Sequence, residues 1–191
     1  MRSSFNRASA LALLAVVAAA CADASRVTRP TAADDAVARK AAGGGTRIVN
    51  MMDACDPTTF NAALGPGSCL RSGGVAFQDF LAQVGDHGFA GAWHFAPPRV
   101  ETTVGTTLLA VNKGGEVHTF TEVAHFGGGI VPVLNQLSGN TTPAPECLAL
   151  EGDDFVPPGG TYTVTEEEPG VEHYQCCIHP WMRTTVHARG S

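Results

Sequence analysis

The chain has 191 residues, 44% of them hydrophobic and 16% charged, with a formal net charge of -6. That length and balance suit a folded domain with a real core and exclude a disordered chain. With 12 Lys and Arg against 18 Asp and Glu, the chain lacks the basic surface that phosphates require, so no nucleic-acid partner is expected. Gly 22 and Pro 12, with few helix-favouring charged runs, indicate many turns and a β-rich body.

Residues 1–24 read as an export signal. Arg2 and Arg7 give a basic start, and the Ala/Leu/Val run from Ala8 to Ala20 is shorter than the roughly 20 apolar residues that span a bilayer. The small residues of Ala18–Ala24 offer a cleavage site. Ala18-Ala19-Ala20-Cys21 also resembles a bacterial lipoprotein signal, in which Cys21 becomes the lipidated first residue, although a Leu is usual where Ala18 stands. Two mature forms are therefore expected as alternatives, one soluble and secreted, one held to a membrane through a lipid on Cys21. Either cut removes both early arginines and no acid, taking the charge from -6 to about -8. In both forms the protein is exported and periplasmic or on the cell surface. Residues 25–46, rich in Ala, Thr, Asp and Gly and including Gly43-Gly44-Gly45, read as a flexible tether.

Residues 47–90 read as a small helical N-terminal segment. Pro57-Thr58-Thr59 followed by Phe60–Leu64 predicts a short helix stopped by Gly65-Pro66-Gly67. Phe77, Phe80, Leu81 and Val84 fall at three- and four-residue steps, one apolar face of a second helix. Cys55 and Cys69 flank the first helix, and in an exported chain they are expected to form a disulfide.

Residues 91–191 read as short strands between turns: 93–95, 100–104, 106–112, 117–123, 162–165, 173–177 and 184–187. A Gly-, Pro-, Asn- and Thr-rich insertion without clear periodicity occupies 127–150. The fold class is mainly β, a Greek-key β-sandwich with the helical segment at its N-terminal side.

The densest chemistry is Cys176-Cys177-Ile178-His179-Pro180-Trp181-Met182. With Cys176 as the first ligand, an imidazole follows three residues on and a thioether three beyond that. A thiolate, two imidazoles and a weak axial Met are the ligand set of electron-transfer copper sites. His118, in the strand-like Val117–Thr121, is the natural second imidazole. A zinc reading through His173, Cys176 or Cys177, and His179 gives Met182 no role. His87, His94, His125 and His187 have no convincing partners.

Gly115-Glu116-Val117-His118-Thr119-Phe120-Thr121 and the Cys-x-x-His-Pro-Trp-Met run resemble the cupredoxin family, particularly its plastocyanin- and amicyanin-like blue-copper members. Val104–Asn112 is similar to the strand-turn-strand that precedes the family's first histidine. The likeness runs from about Gly91 to the C-terminus; the helical segment and the 127–150 insertion depart from it. The resemblance implies one copper ion held by His118, Cys176, His179 and Met182. It also implies one-electron transfer between protein redox partners, a monomer, and no enzymatic activity. Side chains alternate across a strand, so Cys176 shares a face with Tyr174 while Cys177 points away. Cys177 is then free to pair with Cys147, fastening the insertion to the ligand loop. His179, on the loop, is expected to present its outer edge as an electron port, with Pro180 and Trp181 beside it as an apolar docking surface.

Copper delivery, storage or resistance is the alternative function. Oxygen or nitrite chemistry is disfavoured, because it usually needs a further histidine-rich copper centre and none of the 7 histidines forms a His-x-His pair.

Overall fold

The structure is a computed structural model that describes residues 44–190. The export signal, Cys21 and the tether up to residue 43 lie outside the described residues. Within them, ten strands form two four-stranded sheets and one two-stranded pair.

The first sheet joins β1 (Thr46–Met52), β2 (His94–Ala96), β4 (Thr107–Asn112) and β8 (Thr161–Thr165) in the order β2-β1-β4-β8. The second joins β3 (Arg99–Thr103), β6 (Thr121–Val123), β9 (Gly170–Gln175) and β10 (Arg183–Arg189) in the order β3-β10-β9-β6. The chain passes from one sheet to the other between β2 and β3, β3 and β4, β4 and β6, β6 and β8, and β8 and β9. The two sheets form a β-sandwich.

Period-two patterning explains which faces meet. In β4, Leu108, Ala110 and Asn112 are buried while the residues between them are only half-buried. In β10 the buried set is Thr184, Val186 and Ala188. These faces join Val49 and Met51 of β1, Phe95 of β2, Val100 of β3 and Tyr174 of β9 in one core.

β1 was not legible as a strand. The sequence of residues 47–90 predicts a helical segment, yet the segment begins with a strand inside the first sheet. β1 pairs in parallel with β4 (Val49 opposite Ala110) and antiparallel with β2 (Met51 opposite Phe95). The run 117–123, expected as one strand, is broken at the buried Phe120. Its first part, β5 (His118–Thr119), pairs with β7 (Phe155–Val156), and its second, β6, pairs with β9.

The helices follow their local signals. In α1 (Pro57–Leu64) the Asp56 side chain accepts from the amides of Thr58 and Thr59, Pro57 opens the first turn, and Gly65 at φ 106° ends it. α2 (Phe77–His87) buries Phe80 and Val84 and is closed by Gly88 at φ 80°. The 127–150 insertion is partly ordered as α3 (Pro132–Leu137) and a 3-10 turn at Pro145–Leu148. Disulfides link Cys55 to Cys69 and Cys147 to Cys177, leaving Cys176 as the free cysteine among the described residues.

One buried acid stands apart from these elements. Glu166, just after β8, is 1% exposed, and among the described residues neither of its carboxylate oxygens has a hydrogen-bond partner. Burial first, and then the neighbouring Glu172 carboxylate, push its pKa well above the ordinary value of 4.5. Folding therefore takes up a proton here. The associated stability is fully present below 4.5 and is lost as pH rises through the raised folded value. Glu166→Gln should raise the melting temperature more at about pH 8 than at about pH 5. Equal shifts at both pH values would show that Glu166 is ionised in the folded protein.

Candidate metal centre

The last strands bring the sequence-predicted loop back on itself. β9 delivers Cys176 into the core, and the Cys176 amide donates to the Met182 carbonyl at 3.0 Å. The Met182 amide donates to the His179 carbonyl at 2.9 Å. Cys176, His179 and Met182 are thereby confined to one tight turn, and all three are buried, at 0%, 2% and 0% exposure. His118 arrives on β5 and is also fully buried.

The Cys176 Sγ lies 3.8 Å from His118 Nδ1 and 3.8 Å from His179 Nδ1. Donor atoms of the three residues all fall within 4.8 Å of one another. Bonds of about 2.3 Å to sulfur and about 2.0 Å to an imidazole nitrogen, set about 120° apart, separate those donors by about 3.7 Å. The cluster thus fits one first-row metal ion without rearrangement. Met182 belongs to the same buried core.

Each imidazole turns its other nitrogen toward an acid. His118 Nε2 is 2.9 Å from Asp53 Oδ2, and both side chains are buried. Asp53 lies directly after β1 and also accepts the amides of Gly115 at 2.9 Å, Glu116 at 3.0 Å and Cys55 at 3.3 Å. Burial opposes its ionised form, but the His118 hydrogen bond and the Glu116 and Gly115 amides outweigh it and hold the carboxyl at about 2. Gly114 is required here, because a Cβ would collide with the Asp53 carboxylate. Asn112 shapes the same turn, its Nδ2 donating to the Glu116 and Val156 carbonyls at 2.8 Å each.

His179 Nε2 stands 3.7 Å from Glu116 Oε2, which accepts the Trp93 indole N–H at 2.6 Å. The Thr119 amide points at the Cys176 sulfur at 3.4 Å, and the Thr119 hydroxyl accepts the Cys177 amide at 2.8 Å. Burial opposes the Cys176 thiolate, yet hydrogen bonds from His118 and His179 bring its pKa well below the usual thiol value. Burial likewise opposes protonated His118, and Asp53 followed by Cys176 reverses the balance, raising it to about 9. In the metal-free protein, a proton on His118 stands between thiolate and carboxylate. A metal ion would replace that proton at Nδ1 and leave the Nε2 hydrogen bond intact.

Two expectations change. The His179 edge is covered rather than presented: the Phe80 ring lies 6.1 Å away edge-on and the Trp181 ring 5.6 Å away. Pro180 is buried as well, and Trp181 is half-buried. The zinc alternative is not assembled, since Cys177 is in a disulfide and the His173 ring packs edge-on against Phe126 at 4.7 Å. A second acidic grouping, Asp53 with Cys55 and Glu116, has its sulfur in the Cys55–Cys69 bond. Asp53, Glu116 and Thr119 were not found as functional residues from sequence. Asp53 stands 65 residues from His118, and no spacing rule connects them.

A β-sandwich with a buried Cys-His-His cluster, closed by a Met-bearing loop, defines a candidate mononuclear metal protein. No protein-family model matches the chain, and no curated protein matches it. Among solved structures it is similar to a purple cupredoxin from Nitrosopumilus maritimus, at 23% identity over 52% of this chain and 86% of that one, with TM-score 0.39. It is also similar to a Cu(I) amicyanin carrying a methionine-to-alanine change, at 20% identity, 52% and 76% coverage and TM-score 0.36. A reduced amicyanin with a tryptophan-to-tyrosine change gives 22% identity, 53% and 77% coverage and TM-score 0.35.

Asp53→Asn keeps the shape of the carboxylate and removes its charge. The folded variant should bind Cu(II) about 10- to 100-fold more weakly in a competition titration. Unchanged affinity would mean that Asp53 only shapes the turn.

Proposed function

We propose that the chain is an extracytoplasmic mononuclear blue-copper protein that passes single electrons between redox partners and catalyses no reaction of its own. The observation that carries this reading is the placement of the Cys176 sulfur at 3.8 Å from both imidazole Nδ1 atoms, inside a core that excludes water. Bound there, copper would supply a one-electron change between Cu(I) and Cu(II). Cys176, His118, His179 and Met182 would hold it. The chain contributes rigidity. The Thr119 amide and hydroxyl, the Asp53 carboxylate and the two disulfides fix the donors before metal arrives, so an electron enters or leaves with little rearrangement.

The location in this proposal rests on reading residues 1–24 as an export signal, and the partners rest on the one-electron chemistry. The mature protein would stand outside the cytoplasm, free or anchored through Cys21, and meet protein redox partners as a monomer. Copper delivery, storage or resistance is the second reading. Burial of all three clustered ligands argues for retention over exchange.

The test is a visible spectrum of the mature protein after Cu(II) and then ascorbate. A strong band near about 600 nm that bleaches on reduction is expected. Its absence from folded, copper-exposed protein with reduced Cys176 would sink the blue-copper reading. Rapid loss of copper to a chelator would favour delivery instead.

Replacing Met182 with Leu should keep the blue band and raise the reduction potential, since the thioether that favours Cu(II) is gone. A potential equal to that of the parent would remove Met182 from the ligand set.

A further inference from the structure

The two sheets part along one side of the sandwich. β8 and β6 are outer strands of their sheets, and both line a cavity of about 490 Å³ that is open to solvent. Val164 lines it from β8, Glu122 from β6, Glu172 and Tyr174 from β9, and Glu167 and Glu168 from the loop between β8 and β9. Glu122 stands opposite Tyr174 in the β6–β9 ladder, and Glu172 is two residues before Tyr174, so these three share the inner face of their sheet.

Glu166 is the independent observation that points to a ligand. It is 1% exposed, and among the described residues neither carboxylate oxygen has a hydrogen-bond partner. It faces Glu172 and Tyr174, which line the cavity, and so stands directly behind that lining. The Tyr174 hydroxyl has one proton and donates it to Glu172 Oε2 at 2.8 Å. Glu122 adds a further carboxylate from β6. Among the described residues no lysine, arginine or histidine forms an ion pair with any of these five glutamates. Burial first, and then Glu172, push Glu166 up to about 8, so in the unliganded protein a proton compensates it.

We infer that this cavity is a binding site for a small alkylguanidinium, its N–H donors shared between Glu122 and Glu172 and its charge set against Glu166. Charge selects a cation. Spacing excludes a single metal ion, because the donor groups that close within 4.8 Å of one another do not include these glutamates. Volume agrees: the cavity falls in the range of about 300–1,000 Å³ that small-molecule sites occupy. Donor geometry selects the guanidinium. Its five N–H groups in a fixed plane serve carboxylates on two strands at once, whereas an ammonium gathers three donors at one point and a quaternary ammonium has none. A guanidinium is also the more weakly hydrated cation, so it gives up less at a sheltered acid.

The inference uses neither copper nor the ligand loop, so it stands or falls separately from the blue-copper reading. Methylguanidinium is titrated into the protein, metal-free and in the reduced, copper-loaded form, and the backbone amides of Glu122, Glu166 and Glu172 are followed by NMR. Saturable shifts confined to the cavity are expected. Tetramethylammonium and calcium should give none, and methylammonium should bind at least about fivefold more weakly. The entering cation displaces the Glu166 proton, so affinity should be about tenfold weaker at about pH 6.5 than at about pH 8.5. Glu166→Gln has no such proton to lose. It should bind at the higher pH about as weakly as the parent does at the lower, with no pH dependence between them. Glu172→Gln removes a carboxylate that holds the donors and should weaken binding about tenfold.

No saturable shift, equal affinity for methylammonium or tetramethylammonium, tighter binding of calcium at the same residues, or a parent affinity that ignores pH would overturn the proposal. Methylguanidinium binding in a protein that gives no blue band upholds the cavity and sinks only the copper assignment. A blue band in protein that ignores methylguanidinium does the reverse.

Discussion

The buried carboxylate of Asp53 ties the first described strand to the imidazole of His118. It ends β1, gathers the amides of the turn at Gly115 and Glu116, and accepts from His118 Nε2. Removing such a group from water is expensive unless every lone pair finds a donor, and here four N–H groups converge on it. The turn must then bring its backbone against the acid, which is why glycine occupies position 114. With the turn fixed, β5 can offer His118 only from one direction, and its Nδ1 faces the Cys176 sulfur. Strand, turn and ligand are one electrostatic unit.

The two disulfides hold the neighbourhood of that unit at opposite ends. Cys55–Cys69 lies two residues beyond Asp53 and fastens α1 beside the glycine turn, with Cys55 Sγ close enough to Gly115 that a Cβ there would meet it at 2.6 Å. Cys147–Cys177 anchors the 127–150 insertion to the residue next to the thiolate. Both cross-links limit the unfolded chain and shorten the loops that must order around the centre. They also consume each competing thiol among the described residues, so the reactive sulfur is Cys176.

The ligand loop was legible in the sequence because its chemistry is local. Cys176, His179 and Met182 repeat at three-residue steps, and strand alternation separates Cys176 from Cys177 without knowledge of the sheets. The helices at Pro57 and Phe77 were legible for the same reason, through the Pro57-Thr58-Thr59 opening, a stop glycine and an apolar stripe. β1 was not. Thr46–Met52 carries Arg47 and Asn50 between its apolar residues and follows a glycine run, so nothing local marks it as an inner strand. Its place is decided by pairing with β2 and β4, more than 40 residues away in sequence. Asp53 was hidden with it. The covering of His179 was illegible too, because the apolar stripe of α2 says that Phe80 is buried but not against which partner.

Charge explains why the centre holds together in either state. Asp53 and Cys176 are both driven toward their ionised forms despite burial, and His118 is driven toward its protonated form. Two negative groups would repel in a low-dielectric core, so a positive charge between them is a requirement of the fold. In the metal-free protein His118 can supply it with a proton. A metal cation held by the sulfur and both Nδ1 atoms would supply it more fully, since it faces the thiolate directly while Asp53 still accepts from His118 Nε2. The network that keeps the apo core folded is therefore the one that places the donors. This couples stability to metal affinity: a change that weakens the Asp53–His118 contact exposes the same uncompensated charge whether or not the metal is present.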